Sequence, residues 1–222
     1  MEAYDRYKID KVIVQPNIPR PYLDEIKKIH DRIAAMCSKN PGRIFGMVSA
    51  DPHLRDEDYR AEVLRCKNEL GFVGIKIHTF AYSVNPSGID GMKVFDIAKE
   101  TGLPVMIHTG NGIPFADPMA AYAAIKKHPE VSTIIAHSGG NMHQGQALIL
   151  AKEFENVYLE PSWMPSTSIA SMIKNIGSDR IMFGSDVLGN LKPALDVFAD
   201  VITNDNDYEN VMWKTAAKVY RI

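Results

Sequence analysis

Four short apolar runs in this chain end on residues that bind metals or move protons. Val105-Met106-Ile107-His108-Thr109-Gly110 closes on His108, and Ile134-Ile135-Ala136-His137-Ser138-Gly139 closes on His137. Ile181-Met182-Phe183-Gly184-Ser185-Asp186 closes on a carboxylate, and Val73-Gly74-Ile75-Lys76-Ile77-His78 carries an amine and an imidazole. A buried parallel strand that emerges into the mouth of a barrel has this form, apolar to its end and polar where it leaves. Two or more imidazoles and a carboxylate gathered on one rim point to metal-assisted chemistry. Taken alone, each residue also has a plainer role. His108 and His137 can be hydrogen-bonded to the barrel wall, and Asp186 can cap the helix that follows it.

The elements that would position these residues recur regularly. Strands are predicted near Lys11, Arg43, Val73, Pro104, Thr133, Val157 and Ile181, a spacing that fits one strand, one helix and two short loops. Helical periodicity fills the gaps at Tyr22–Lys39, Asp58–Leu70, Gly91–Thr101, Pro118–His128, Gln144–Phe154, Ser168–Ile176 and Lys192–Ile202. Asp117-Pro118 reads as an N-cap followed by a first-turn proline, and Gly102 as a C-cap. The strands are apolar on both faces, which implies a parallel sheet covered by helices. Residues 1–222 therefore read as one α/β domain, a TIM-like (β/α) barrel of seven strands. No glycine-rich phosphate loop follows the first strand, which argues against a dinucleotide-binding open sheet.

Bulk properties narrow the partners. A formal charge of −2 offers no electrostatic footprint for nucleic acid, and no apolar run is long enough for a membrane span. The polar N-terminus is no signal peptide, so a cytoplasmic protein is expected, with Cys37 and Cys66 as reduced thiols. The partner implied is a small-molecule substrate.

Gly74-Ile75-Lys76-Ile77-His78, His108-Thr109-Gly110, His137-Ser138-Gly139-Gly140, Asn156-Val157-Tyr158-Leu159-Glu160 and Asp179 through Asp186 together resemble the amidohydrolase superfamily, in its amidohydrolase-2 branch of hydrolases and non-oxidative decarboxylases. The resemblance runs from about residue 3 to the C-terminus. It implies that His108 and Asp186 bind a divalent metal, zinc first and manganese second, with His137 as a further ligand or as the group that polarises substrate. Asp186 would then also be the proton-transfer residue. Lys76 would pair with Glu160 or a substrate carboxylate, or be carbamylated between two metals. His78 and Trp163 would face substrate beside them, with Met164 and Phe80 lining the pocket and His143 near its mouth. His30 and the other histidines read as structural.

The family's first strand carries His-X-His or Glu-X-His, and this chain has no such motif. It is expected to begin partway into the family's first helix, with the first strand absent. The leading expectation is a metal-dependent hydrolase acting through a metal-activated water. The alternatives are a non-oxidative decarboxylase of a small carboxylic acid and an impaired barrel that holds no metal. The strands near Lys11 and Ile181 would flank an open seam, closed by their direct pairing or covered in a homodimer.

Overall fold

The chain is described by a computed structural model over residues 1–16, 22–110 and 114–222. Six parallel strands lie side by side in sequence order: β1 (Val12–Val14), β2 (Ile44–Val48), β3 (Gly74–Ile77), β4 (Val105–His108), β5 (Thr133–Ala136) and β6 (Val157–Glu160). The seventh predicted strand is reduced to one bridge, Ile181 to Leu159. Strictly consecutive order, with a helix between successive strands, makes this a curled, TIM-like sheet with helices on its outer face.

The helices are α1 (Glu2–Arg6), α2 (Leu23–Lys39), α3 (Asp56–Asn68), α4 (Ile89–Thr101), α5 (Tyr122–Lys127), α6 (Gly140–Glu153), α7 (Ser166–Ile176), α8 (Leu191–Ala199), α9 (Asp205–Glu209) and α10 (Thr215–Tyr220). Helix α6 begins four residues before the predicted Gln144, because Gly139 and Gly140 adopt positive φ and start it without a capping side chain. Gly102 closes α4 in the left-handed conformation as predicted. Asp117 precedes the proline but makes no side-chain capping bond. None of the helices among the described residues is long and apolar enough to cross a membrane.

Doubly apolar strands produce two cores. Ile75, Ile77, Val105, Ile107, Ile135, Val157 and Leu159 pack outward against the helices. Met47, Ile134, Tyr158 and Met182 fill the interior, where Val219 and Tyr220 of α10 close its lower end. Gly74 is required there, since a Cβ would lie 2.9 Å from Cε1 of Tyr220. At the seam, the bond that would close the sheet is not made between β1 and Ile181 among the described residues. The Phe183 amide donates instead to the Val211 carbonyl at 2.8 Å, so the segment Asn210–Lys214 covers that edge.

Between α2, α3 and β2 lies a buried polar network. His30 Nδ1 meets Glu62 Oε1 at 2.7 Å, Arg65 donates twice to Glu62, and the Cys66 thiol sits 3.3 Å from both His30 and Glu62. The Ser49 amide donates to His30 Nε2. These atoms lie close enough together for a metal. The protein's own donors already fill them, and a guanidinium supplies the positive charge, so the network reads as a structural staple. Cys37 and Cys66 are both free thiols, as expected.

Candidate active site

Parallel register sets the site. Lys76, Met106, Ile134 and Tyr158 are successive partners across four strands, and His108, Ala136 and Glu160 form the next row up. Side chains alternate along a strand, so both rows face the interior and His78 continues the upper one. At the rim above these rows lies a cavity of about 280 Å³ lined by His108, Thr109, Gly110, His137, Gly140, Asn141, Trp163 and Asp186.

Three imidazoles stand in contact over it. The rings of His78 and His108 stack with centroids 4.4 Å apart, and His137 meets His108 edge-on at 4.8 Å. Burial, then the nearby Lys76 ammonium and the other two rings, pushes His108 down to about 2. Burial, then Lys76 and His137, takes His78 to about 4 against a smaller pull from Asp186. His137 is lowered by burial and partly restored by Glu160. All three rings are thus neutral near pH 7, the form in which imidazole binds metals. Lys76 is only 3 % exposed, and burial lowers it to about 8 against the fields of Glu160 and Asp186. The expected contact ion pair between Lys76 and Glu160 is not made among the described residues. Glu160 turns instead to the backbone, accepting from the Ser162 amide at 3.0 Å, the Ser162 hydroxyl at 3.0 Å and the His137 amide at 3.3 Å. The shorter reach of a carboxylate on the upper row, and donors at hand on two loops, explain the difference.

Asp186 does not cap the following helix. Its carboxylate accepts from the indole Nε1–H of Trp163 at 2.9 Å. Four rim residues hold left-handed backbone: His137 at φ 60°, Ser138 at 46°, Trp163 at 66° and Asp186 at 64°. Thr109 ties the rim together, donating to the Ala136 carbonyl at 2.6 Å and accepting from the Gly139 amide at 2.8 Å.

Of the predicted residues, the cavity gathers His108, His137, Trp163 and Asp186, with His78 stacked behind and Lys76 beneath. Phe80 stands at the rim, 44 % exposed, with its ring 5.3 Å from that of His108. Met164 is buried in the outer core instead of lining the pocket, because its loop turns inward after the exposed Trp163. His143 lies on α6 against Gln146 and does not reach the cavity. Gly140 and Asn141 line it and were missed, since an uncapped Gly-Asn helix start carries no chemical signature. Ser162 was also missed, although it directly follows Glu160-Pro161. Asn111 and Gly112, which follow His108-Thr109-Gly110, lie outside the described residues.

The donor set suits a divalent ion. Nδ1 of His78 is buried without a hydrogen-bond partner among the described residues. Among the described residues no ion pair joins a carboxylate to these three rings, and neutral imidazoles facing a cavity are ligands for a divalent cation. As they stand, His108, His137 and Asp186 are not drawn together as tightly as His30, Glu62 and Cys66.

Glycine at 184 is a condition of this arrangement. A Cβ there would lie 2.0 Å from Oε1, 2.6 Å from Cδ and 2.9 Å from Cγ of Glu160, so the whole side chain must shift. Gly184→Ala is expected to destabilise the fold by about 1–3 kcal/mol through overpacking. Urea unfolding reads this as a lower midpoint, and a midpoint equal to wild type would show that Glu160 is not fixed as described.

A family model described as amidohydrolase matches residues 23–222. The gamma-resorcylate decarboxylase of Rhodococcus jostii is 21 % identical, over all of this chain and 86 % of its own. A solved 2,6-dihydroxybenzoate decarboxylase from Rhizobium shares the fold with a TM-score of 0.82 at 18 % identity, covering 99 % of this chain and 86 % of that one. A dihydroxybenzoic acid decarboxylase from Polaromonas, solved with manganese and 2-nitroresorcinol, has a TM-score of 0.79 at 18 % identity, covering 99 % and 84 %.

Proposed function

The chain belongs to the amidohydrolase family, and from that premise we propose that it is a metal-dependent, non-oxidative decarboxylase of a small aromatic carboxylic acid. The observation that carries this reading is the pair of neutral imidazoles, His108 and His137, that share one cavity with Asp186, with His78 stacked behind His108. The decarboxylases among its relatives favour loss of CO2 over the hydrolysis that motif reading ranks first. His108, His137 and Asp186 would hold the ion, and the manganese bound in the Polaromonas structure is the reason to name manganese ahead of zinc here. When bound, the ion would supply Lewis-acid polarisation of the substrate carboxylate and its neighbouring oxygen.

The chain's own residues would do the rest. Phe80 and Trp163 offer flat apolar faces at the rim for an aromatic ring. Lys76, below, offsets the negative charge of Glu160, Asp186 and an incoming carboxylate. Asp186, after taking a proton from solvent, would deliver it to the ring carbon that bears the carboxylate and return to its anionic form. The carbon–carbon bond then breaks, its electron pair returns to the ring, and CO2 leaves.

The test is a panel of hydroxybenzoates, lactones and amides, assayed with manganese and with zinc. CO2 release from at least one hydroxybenzoate is expected. Turnover of a lactone or amide without CO2 release from any acid would overturn the proposal in favour of hydrolysis.

A further inference from the structure

We infer that Ser162 is a positioning residue that locks His137 in its Nδ1–H tautomer and so leaves the Nε2 lone pair directed at the cavity. The inference deepens the proposed function, because it concerns the form in which His137 meets a metal or a substrate. It stands on hydrogen-bond geometry alone.

Ser162 is buried at 1 % exposure, and its hydroxyl touches two groups. Its oxygen lies 2.7 Å from Nδ1 of His137 and 3.0 Å from Oε2 of Glu160. A hydroxyl has one proton to donate. The Glu160 carboxyl already accepts from two backbone amides, Ser162 N–H on Oε1 and His137 N–H on Oε2, so it acts as an acceptor. An ionised carboxylate accepts only, and it is the stronger acceptor of the two groups. The serine proton therefore goes to Glu160. The contact to His137 is then a bond only if Nδ1 carries a hydrogen and donates it to the serine oxygen. The opposite assignment sets the Ser162 and Glu160 oxygens 3.0 Å apart with no proton between them, inside a buried site where an unmade bond is costly.

The consequence falls on the far side of the ring. His137 lines the cavity, and its Nε2 has no hydrogen-bond partner among the described residues. With Nδ1 protonated, Nε2 holds the lone pair. Glu160 also steers the ring's own backbone through the His137 amide, so one carboxylate fixes both where the imidazole sits and which nitrogen is basic. Orienting partners of this kind set ligand basicity in metal sites. Gly184 makes room for Glu160, which extends the chain of dependence to four residues: Gly184, Glu160, Ser162 and His137.

The experiment is long-range ¹H–¹⁵N correlation on metal-free, ¹⁵N-histidine-labelled protein, with the His137 signals identified by their loss in His137→Gln. The expected result is a single Nδ1–H tautomer in wild type, averaging of the two tautomers in Ser162→Ala, and recovery of Nδ1–H in Ser162→Thr. An Nε2–H tautomer in wild type, or an unchanged signal in folded Ser162→Ala, would overturn the inference. The wild-type spectrum decides even if the alanine variant does not fold. Manganese titration of the same samples separates this inference from the proposed function. Weakening of about 10–100-fold in Ser162→Ala supports both. An Nδ1–H tautomer with manganese affinity unchanged by the substitution supports the role of Ser162 and overturns the assignment of His137 as a ligand.

Discussion

Asp186→Asn is expected to lower kcat for decarboxylation by about 10²–10⁴-fold, the range over which a positioned proton donor contributes. The substitution is chosen for what it preserves. Asp186 sits at φ 64°, and asparagine tolerates the left-handed region better than other side chains do. An amide oxygen can still accept from the Trp163 indole, so the contact that joins the two loops survives. What is lost is the negative charge and the ability to carry a proton to carbon. Steady-state kinetics with manganese present measures the effect, while circular dichroism and Trp163 fluorescence report whether the rim is intact. An intact variant within tenfold of wild-type kcat would remove Asp186 as the proton donor.

The largest loss of stability is expected away from the site, in Glu62→Ala. Glu62 and His30 side chains are both fully buried, and Glu62 is also gripped by Arg65. Removing the carboxylate leaves His30, Arg65 and the Cys66 thiol without their common acceptor, which costs about 3–5 kcal/mol in buried networks of this kind. For a chain of this length that corresponds to a fall in Tm of roughly 6–20 °C. The control is Glu57→Ala, an exposed carboxylate, expected within about 0.5 kcal/mol of wild type. The same network predicts acid sensitivity. Burial alone would raise the Glu62 pKa, but the hydrogen bonds from His30 and Arg65 win and hold it at about 2, below its ordinary 4.5. A carboxylate lowered on folding stabilises the native state above its unfolded pKa, and that contribution is lost as pH falls from about 4.5 toward 2. Thermal melts across that window should show wild type losing stability more steeply than Glu62→Ala. Parallel curves would mean that the network does not ionise as described.

Much of this was legible in the residues. Buried parallel strands are so uniformly apolar that His108, Lys76 and His78 stand out against them, and a period of two places Lys76 and His78 on one face. The placement of Asp186, His137 and Trp163 on the rim followed from strand ends. What could not be read was the bonding between loops. Trp163 and Asp186 are 23 residues apart, and both depend on left-handed turns that non-glycine residues do not advertise. Glu160 is the partner within the chain that the sequence offers Lys76, an opposite charge in the same buried interior. Its preference for the Ser162 and His137 amides depends on loop geometry that only the folded chain reveals. His30 was readable as structural, but its partners Glu62 and Cys66 meet it only because α2 and α3 pack side by side.

The left-handed residues at the rim carry one further implication. Each non-glycine residue held at positive φ costs on the order of 1–3 kcal/mol, and four of them cluster where the imidazoles and the carboxylate converge. Ser138 adds a buried hydroxyl that has no partner among the described residues at the same place. The strands of the barrel below hold no non-glycine residue at positive φ among the described residues, so backbone strain is concentrated at the rim and not in the sheet. Selection for heat resistance would find its easiest gains by relaxing the rim toward glycine, and it would take those gains out of turnover.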